Sequence, residues 1–296
     1  MHDDHPTCDI SLDFERLQNA YRTGTLRPVD VVREVYRRIR SSGEDFVWTC
    51  LIPEQEAIAA AQAIARRGSE NLPLFGLPFA VKDNIHVAGL PTTASCPAYA
   101  HHPAKTATVV QKLLDAGAIL IGKNTLDQFA TGLVGIRSPG FPVNPFNPAY
   151  IPGGSSSGSA VAVAKGLVSF ALGTDTGGSG RVPAALNNIV GLKPTPGIVS
   201  TAGLIYANRS FDCVPVFALT CADAEAVLDV LVGADSEDPI MRRNPELVAR
   251  SAYPDSEFVI GVPSKKDRKF FGDALAEESF NSAIALVERL GGRITE

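Results

Sequence analysis

Gly153-Gly154-Ser155-Ser156-Ser157-Gly158-Ser159 and Gly173-Thr174-Asp175-Thr176-Gly177-Gly178-Ser179-Gly180 are the two clusters on which the reading of this chain turns. Eight glycines and six serines fall between Gly153 and Gly180, where the run meets Arg181-Val182-Pro183. Glycine lets the backbone turn tightly and present free N–H groups. Serine supplies hydroxyls that become nucleophiles when a base is near. A flexible linker is the plain alternative. The mostly apolar residues between the two clusters argue for ordered structure instead.

Outward from this run, short apolar segments alternate with helical patterns. Leu77-Pro78-Phe79-Ala80-Val81 reads as a buried strand running into Lys82-Asp83-Asn84. Ala118 to Gly122 and Leu167 to Leu172 read as two more, and Phe258 to Val262 as a fourth. Helical patterns open at Leu12, at Pro28 with Thr25 as cap, and at Pro53. Further helices are expected over 107–116, 156–165, 223–232 and 274–290. Residues 137–153 hold five prolines and are expected to form an irregular loop. The alternation predicts an α/β fold around a mostly buried sheet. Residues 1–296 are expected to form a single domain with a helical part over 1–70. Another strand begins near Gly292, so the domain is expected to be incomplete after Glu296.

Bulk composition narrows the function. The net charge is −5 with 20% charged residues, and no basic patch stands out, so nucleic acid is not an expected partner. The run Arg37-Arg38-Ile39-Arg40 reads as a solvated helix face. The N-terminal Met1-His2-Asp3-Asp4-His5-Pro6 lacks the apolar core of a signal peptide, and no stretch reaches a membrane-spanning length. Five scattered cysteines (Cys8, Cys50, Cys96, Cys213 and Cys221) form no C-x-x-C pair. They suggest neither zinc nor a disulfide framework. A cytoplasmic protein without cofactor or metal is expected.

Three chemistries compete for the serines. Gly153 to Gly158 has the spacing of a phosphate-binding loop, but Ser159 and Ala160 stand where lysine and a hydroxyl residue belong. Gly154-Ser155-Ser156-Ser157-Gly158 fits a nucleophile elbow centred on Ser156. All five histidines precede it, at positions 2, 5, 86, 101 and 102, so the required order of residues is absent. The third chemistry uses a neutral lysine as base, and Lys82 at the end of a buried strand is the candidate. By position alone, a lysine in a surface turn is the simpler reading of Lys82.

Four ordered motifs bear on that choice. They are Gly76 to Asn84, Pro152 to Ser159, Gly173 to Ser179 with Arg181, Pro183 and Ala184, and Gly191-Leu192-Lys193-Pro194-Thr195. Together they resemble the amidase signature family over residues 75–220, and the resemblance implies that family's α/β fold, a mixed central β-sheet covered by helices on both faces. The resemblance implies a Ser–cis-Ser–Lys triad: Ser179 as nucleophile, Ser155 as bridging serine on a cis Gly154–Ser155 peptide, and Lys82 as base. It makes the backbone N–H groups of Thr176, Gly177 and Gly178 the expected oxyanion hole. Asp175 and Arg181, of opposite charge, are expected to brace the turn. Ser156, Ser157 and Ser159 are read as structural hydroxyls, and Thr92 and Thr93 as residues that could line the site.

Thr131 to Pro139, Ser179-Gly180-Arg181-Val182, Asn187 to Val190 and Phe211 to Val214 resemble the family's allophanate hydrolase branch. This implies cleavage of allophanate, a small anionic amide, to ammonia and carbon dioxide species in urea degradation. Gly180 is read as leaving backbone exposed for such a substrate. The loop from Ser138 to Asn144 departs from the branch, being one residue short and lacking an aromatic after Pro139. The branch's substrate-gripping tyrosine and arginine would lie beyond Glu296. The alternatives are another amidase of the family, a glutamyl-tRNA amidotransferase A-like subunit, or a truncated non-catalytic relative. The expected partner is a small amide, with no membrane; a homodimer is allowed, and a functional link to a urea carboxylase is implied by the resemblance.

Overall fold

The computed structural model describes residues 10–242 and 258–296. Cys8 and the polar N-terminal run lie outside them. The chain divides into two compact units, Met1–Glu246 and Leu247–Glu296.

The larger unit is built on a six-stranded sheet. Its strands are β1 (Trp48–Leu51), β2 (Pro78–Lys82), β3 (Ile119–Asn124), β4 (Phe170–Leu172), β5 (Val190–Leu192) and β6 (Val216–Ala218). The spatial order is β1-β3-β2-β4-β6-β5. The central three strands are parallel, with β2 between β3 and β4, whereas β1, β5 and β6 join antiparallel. Every residue of β2, β3 and β4 is buried, so both faces of the sheet centre are covered.

The helices of this unit are α1 (Phe14–Thr23), α2 (Pro28–Ser41), α3 (Glu54–Arg67), α4 (Thr108–Asp115), α5 (Ser157–Ala164), α6 (Arg181–Leu186) and α7 (Cys221–Leu231). α2 starts at Pro28, as the proline predicts, but its cap is Arg27 and not Thr25. The Asp30 carboxylate accepts the Arg27 N–H at 3.1 Å. α7 starts at Cys221 because the Thr220 hydroxyl accepts the Asp223 N–H.

α5 carries the connection between the two polar clusters. It has no charged side chain, and Ser157 through Val163 are all buried. Small residues are required here: a Cβ on Gly158 would lie 2.6 Å from the Val47 carbonyl oxygen and 2.7 Å from the Thr125 nitrogen. Beyond it, Phe170 on β4 stacks on Phe79 of β2 with ring centroids 5.3 Å apart, and Phe14 of α1 meets Phe170 edge-on at 5.6 Å. These rings lock the N-terminal helix to the two strands that carry the polar loops.

The smaller unit contains β7 (Phe258–Gly261), α8 (Ala274–Arg289) and β8 (Gly292–Thr295). β7 and β8 pair in parallel, and the strand anticipated near Gly292 is β8.

Replacing Phe170 by Ala is expected to destabilise the larger unit by about 3–5 kcal/mol, the usual cost of emptying a buried aromatic site. Urea unfolding followed through Trp48, the chain's single tryptophan, measures it. A loss below about 1 kcal/mol would contradict the packing role given to this ring.

Candidate active site

Parallel strands deliver their carboxyl ends to one edge of a sheet, and groups placed there share a crevice. Lys82 closes β2 and pairs with Asn124 at the end of β3, while Leu172 at the end of β4 pairs with Val81. Thr174, Thr125 and Asp127 follow immediately on their strands. The two glycine–serine clusters flank α5 and return to this same edge.

Lys82 is completely buried. Its Nζ lies 2.7 Å from Ser155 Oγ, 2.7 Å from Thr174 Oγ1 and 3.4 Å from the Thr174 carbonyl oxygen. Burial pushes its pKa down to about 7, although the negative charges of Asp212, Asp127 and Asp175 pull it upward. A neutral amine has one lone pair and can take a proton from the Ser155 hydroxyl. The resulting ammonium has three N–H groups and three oxygen acceptors in reach. The surface-turn reading of Lys82 is thereby set aside.

Ser155 is fixed by backbone on both sides. The Gly154–Ser155 peptide is cis. The Ser155 carbonyl accepts the Asp127 N–H at 3.0 Å, and the Gly154 N–H donates to the Leu133 carbonyl at 2.9 Å. A side chain at Gly154 would collide with the Asp127 carboxylate, so the residue before Ser155 must be glycine. Asp127 in turn accepts N–H groups from Gly135 and Arg137 at 3.0 and 2.8 Å.

The second cluster forms a turn around Asp175. That carboxylate accepts the Gly178 N–H at 2.7 Å and the Gly180 N–H at 3.0 Å, and it pairs with Arg181 through Nε and Nη2, both at 3.0 Å. Burial alone would raise the Asp175 pKa. The Arg181 guanidinium and the two N–H groups outweigh it and hold the carboxyl below its ordinary value. Arg181 and Asp175 therefore brace the turn through direct contact.

Ser179 sits at the end of this turn and is joined to the Ser155 segment through its carbonyl, which accepts the Ser156 N–H at 3.3 Å. Among the described residues its hydroxyl has no hydrogen-bond partner, and neither do the N–H groups of Thr176, Gly177 and Ser179. Gly177 is exposed, and a Cβ placed there would meet nothing within 4 Å. The Gly177 peptide faces open space, Thr176 is partly exposed, and Ser179 is buried. Gly178 does not join them, because its N–H is already donated to Asp175; this corrects the expectation of three donors at Thr176, Gly177 and Gly178. Gly180 is also corrected: it is buried, and a Cβ there would lie 2.6 Å from Pro215. Its small size serves packing, not substrate access.

The hydroxyls of the first cluster divide. Ser156 Oγ donates to the Thr174 carbonyl at 3.2 Å and Ser159 Oγ to the Leu172 carbonyl at 3.1 Å. Among the described residues, Ser157 Oγ is buried without a partner, so it does not fill the structural role expected of it.

Several groups at this edge are not marked out by the sequence. Thr174 is one, although it lies inside the quoted cluster. Asn84 is another: its Nδ2 donates to the Ile205 carbonyl at 3.0 Å and to Thr174 Oγ1 at 3.2 Å. A carbonyl only accepts, so the Ile205 contact fixes the orientation of the Asn84 amide. Next to Lys82, Asp83 forms a fully buried ion pair with Lys123 at 2.8 Å. Thr93 donates to Asp83, and Lys123 donates to Thr92 Oγ1 at 2.6 Å. Thr92 and Thr93 thus support this pair and are not free to line a pocket. The residue types are visible in the sequence, but nothing in their spacing pairs positions 83 and 123.

Among the described residues, no group of three or more His, Cys, Asp or Glu side chains could hold a metal, and no helix is long and apolar enough to cross a membrane. Two hollows of about 900 and about 1020 Å³ lie along α1, one with α7 and one with α2 and α3; neither is lined by Lys82, Ser155, Thr174, Asp175 or Ser179.

A family model described as Amidase matches residues 30–296. The chain is 45% identical over 254 residues to urea amidolyase of Saccharomyces cerevisiae, covering 85% of this chain and 14% of that protein. It is 38% identical over 288 residues to a glutamyl-tRNA(Gln) amidotransferase subunit of Chlorobium phaeobacteroides, covering 94% of this chain and 59% of that one. Among solved structures, Kluyveromyces lactis allophanate hydrolase superposes with a TM-score of 0.83 at 42% identity, covering 93% of this chain and 45% of that chain. The chain thus spans from about one seventh to about three fifths of the length of these relatives.

The position of Lys82 sets a pH dependence. Reaction of a serine hydroxyl with a fluorophosphonate requires a neutral base, and Ser179 is the expected target. Its rate is expected to fall about tenfold per pH unit as Lys82 is protonated below its pKa, and to level off at higher pH. The midpoint is expected near the Lys82 pKa of about 7. A rate flat from pH 5.5 to 9 would remove Lys82 from the proton path.

Proposed function

The chain belongs to the amidase family, and on that premise we propose that it cleaves allophanate by a Ser–cis-Ser–Lys mechanism. The class of reaction follows from the family: the chain is related to hydrolases that act on amide C–N bonds. The observation that carries the mechanism is the buried Lys82 amine, 2.7 Å from the Ser155 hydroxyl.

In this mechanism Ser179 Oγ attacks the amide carbonyl carbon. Its proton passes to Ser155 Oγ while the Ser155 proton moves to Lys82 Nζ. Ser155 regains a proton for the one it gives up, Ser179 exchanges its O–H bond for an O–C bond, and Lys82 gains the single positive charge. Thr174 supplies two of the three acceptors that hold the new ammonium. The carbonyl oxygen becomes an oxyanion, to which Thr176 and Gly177 present open N–H groups. Removing such a donor typically lowers the rate by about 10² to 10³-fold. On collapse, the C–N bond breaks and the proton returns through Ser155 to the leaving nitrogen, which departs as ammonia. Water then attacks the acyl-Ser179 ester and passes its proton through Ser155 to Lys82; when the ester C–O bond breaks, that proton returns through Ser155 to Ser179 Oγ and the carboxyl product leaves.

Allophanate is favoured by the 45% identity to urea amidolyase and by the likeness to allophanate hydrolase. The same proposal treats residues 1–296 as part of one amidase domain with its chemistry in 75–220, and includes a functional link to a urea carboxylase that makes the substrate. A second reading, glutamine hydrolysis in an amidotransferase, draws on the 38% identity to the amidotransferase relative over nearly the whole chain.

Ammonia release from allophanate, acetamide, malonamide and glutamine separates these readings. Allophanate is expected to be turned over with the highest kcat/KM, and equal or faster turnover of another amide would refute the assignment. Lys82→Ala is expected to lower kcat by about 10² to 10⁴-fold with the fold retained. Unchanged turnover would require a different base.

A further inference from the structure

Asp212 is a carboxylate with only 1% of its surface exposed, and burial of a charge is costly unless it is well bonded. Its partners are the Thr176 hydroxyl, the Ala207 N–H at 2.8 Å and the Asn208 N–H at 3.2 Å. Among the described residues no cation pairs with it. This sets it apart from Asp175, which is paired with Arg181, and from Asp83, which is paired with Lys123. Asp212 is therefore held by neutral donors alone, and its charge is not cancelled by a partner.

Those donors include one from the turn that carries Ser179. Cys213, next in the chain, exchanges backbone hydrogen bonds with Asp175 at 3.2 and 2.9 Å, which brings Asp212 alongside Thr176. The turn is thus fastened at two points. Asp175 takes the Gly178 N–H at 2.7 Å, and Asp212 takes the Thr176 hydroxyl. Among the described residues that hydroxyl has no other hydrogen bond. Between the two points lie the undonated N–H groups of Thr176 and Gly177. Two successive glycines, Gly177 and Gly178, follow Thr176, and glycine does little to fix its own backbone. The hold on Thr176 must come from outside the turn, and Asp212 supplies it.

We infer that Asp212 is a positioning residue, holding the Thr176 and Gly177 peptides in place for an oxyanion through the Thr176 hydroxyl. The inference rests on the proposed amide hydrolysis. The same carboxylate also acts on the base. Of the three charges that pull the Lys82 pKa upward against burial, Asp212 is the strongest, ahead of Asp127 and Asp175. Replacing it by a neutral side chain therefore has a directional signature at Lys82 that loosening of the turn does not share. Loss of the negative charge favours the neutral amine and lowers its pKa, whereas entry of water around a loosened Lys82 raises it.

The test follows fluorophosphonate labelling of Ser179 against pH in the parent chain and in Asp212→Asn, Thr176→Val and Thr176→Ser. An amide cannot accept both the Thr176 hydroxyl and the two N–H groups, so Asp212→Asn is expected to lower the high-pH plateau about tenfold or more. Its midpoint is expected to move to lower pH. Thr176→Val breaks the same tie but keeps the charge; its plateau is expected to fall with no move of the midpoint to lower pH. Thr176→Ser restores the hydroxyl and is expected to recover most of the rate. Backbone ¹⁵N order parameters at positions 176 and 177, about 0.85 for a rigid peptide, are expected to fall towards about 0.6 in Asp212→Asn and Thr176→Val. The inference is overturned if Asp212→Asn or Thr176→Val keeps the parent plateau, if the Asp212→Asn midpoint moves to higher pH, or if Thr176→Ser recovers nothing. Should Asp212→Asn fail to fold, as read by Trp48 fluorescence, the two Thr176 variants decide by the same criteria. A parent chain that does not label refutes the hydrolysis; the positioning role is then upheld by a fall in the order parameters and overturned by none.

Discussion

An ammonium group is stable in water because its three N–H bonds are solvated, and Lys82 has been removed from water altogether. Burial favours its neutral form, and the surrounding carboxylates keep that preference from going further. The balance leaves an amine close to proton-transfer range at neutral pH. Everything else at this edge of the sheet follows from the need to support both of its states. Ser155 faces its lone pair in one state. Ser155 and the two oxygens of Thr174 surround the cation in the other.

Strand ends alone would not hold such a group in register. Lys82 is the last residue of β2, and the chain beyond it is fixed by the buried pair of Asp83 with Lys123 on the neighbouring strand. Removing one member of a buried pair leaves an unpaired charge, which is far costlier than the pair itself is favourable. The same logic recurs at Asp175, whose partners come from the turn it organises. Each charge near Lys82 is thus held by its own contacts, and the electrostatic surroundings of the amine are set by the fold.

Much of this is legible in the sequence, for identifiable reasons. β2, β3 and β4 stand out as short apolar runs because they are buried on both faces. α5 is visible through its unbroken small residues, and the positions of Lys82, Ser155 and Ser179 through the four motifs that surround them. β5 and β6 are not: three-residue strands carry no period of their own, and Val216–Ala218 is a strand because β4 lies beside it. β1 is hidden for the same reason, at only four residues. The differences at Gly178 and Gly180 have another source. A glycine-rich motif announces a tight turn but does not say toward which side each peptide points, and here Asp175 claims two of the N–H groups. Asn84 and Lys123 are invisible as partners because their contacts span distant parts of the chain.

That long span has a consequence for how the protein reaches its working state. Lys82 and Ser155 are 73 residues apart, Lys82 and Thr174 are 92 apart, and Asn84 reaches Ile205 across 121. Contacts of this kind carry the entropic cost of closing a long loop before they contribute any stability. During synthesis Lys82 leaves the ribosome well before any of these partners exists, and until then it is an ordinary solvated cation. Its altered basicity is a property of the closed sheet, where it is buried. A chain that has collapsed but not closed carries Lys82, Ser155 and Thr174 without the burial and the contacts that set the basicity of Lys82.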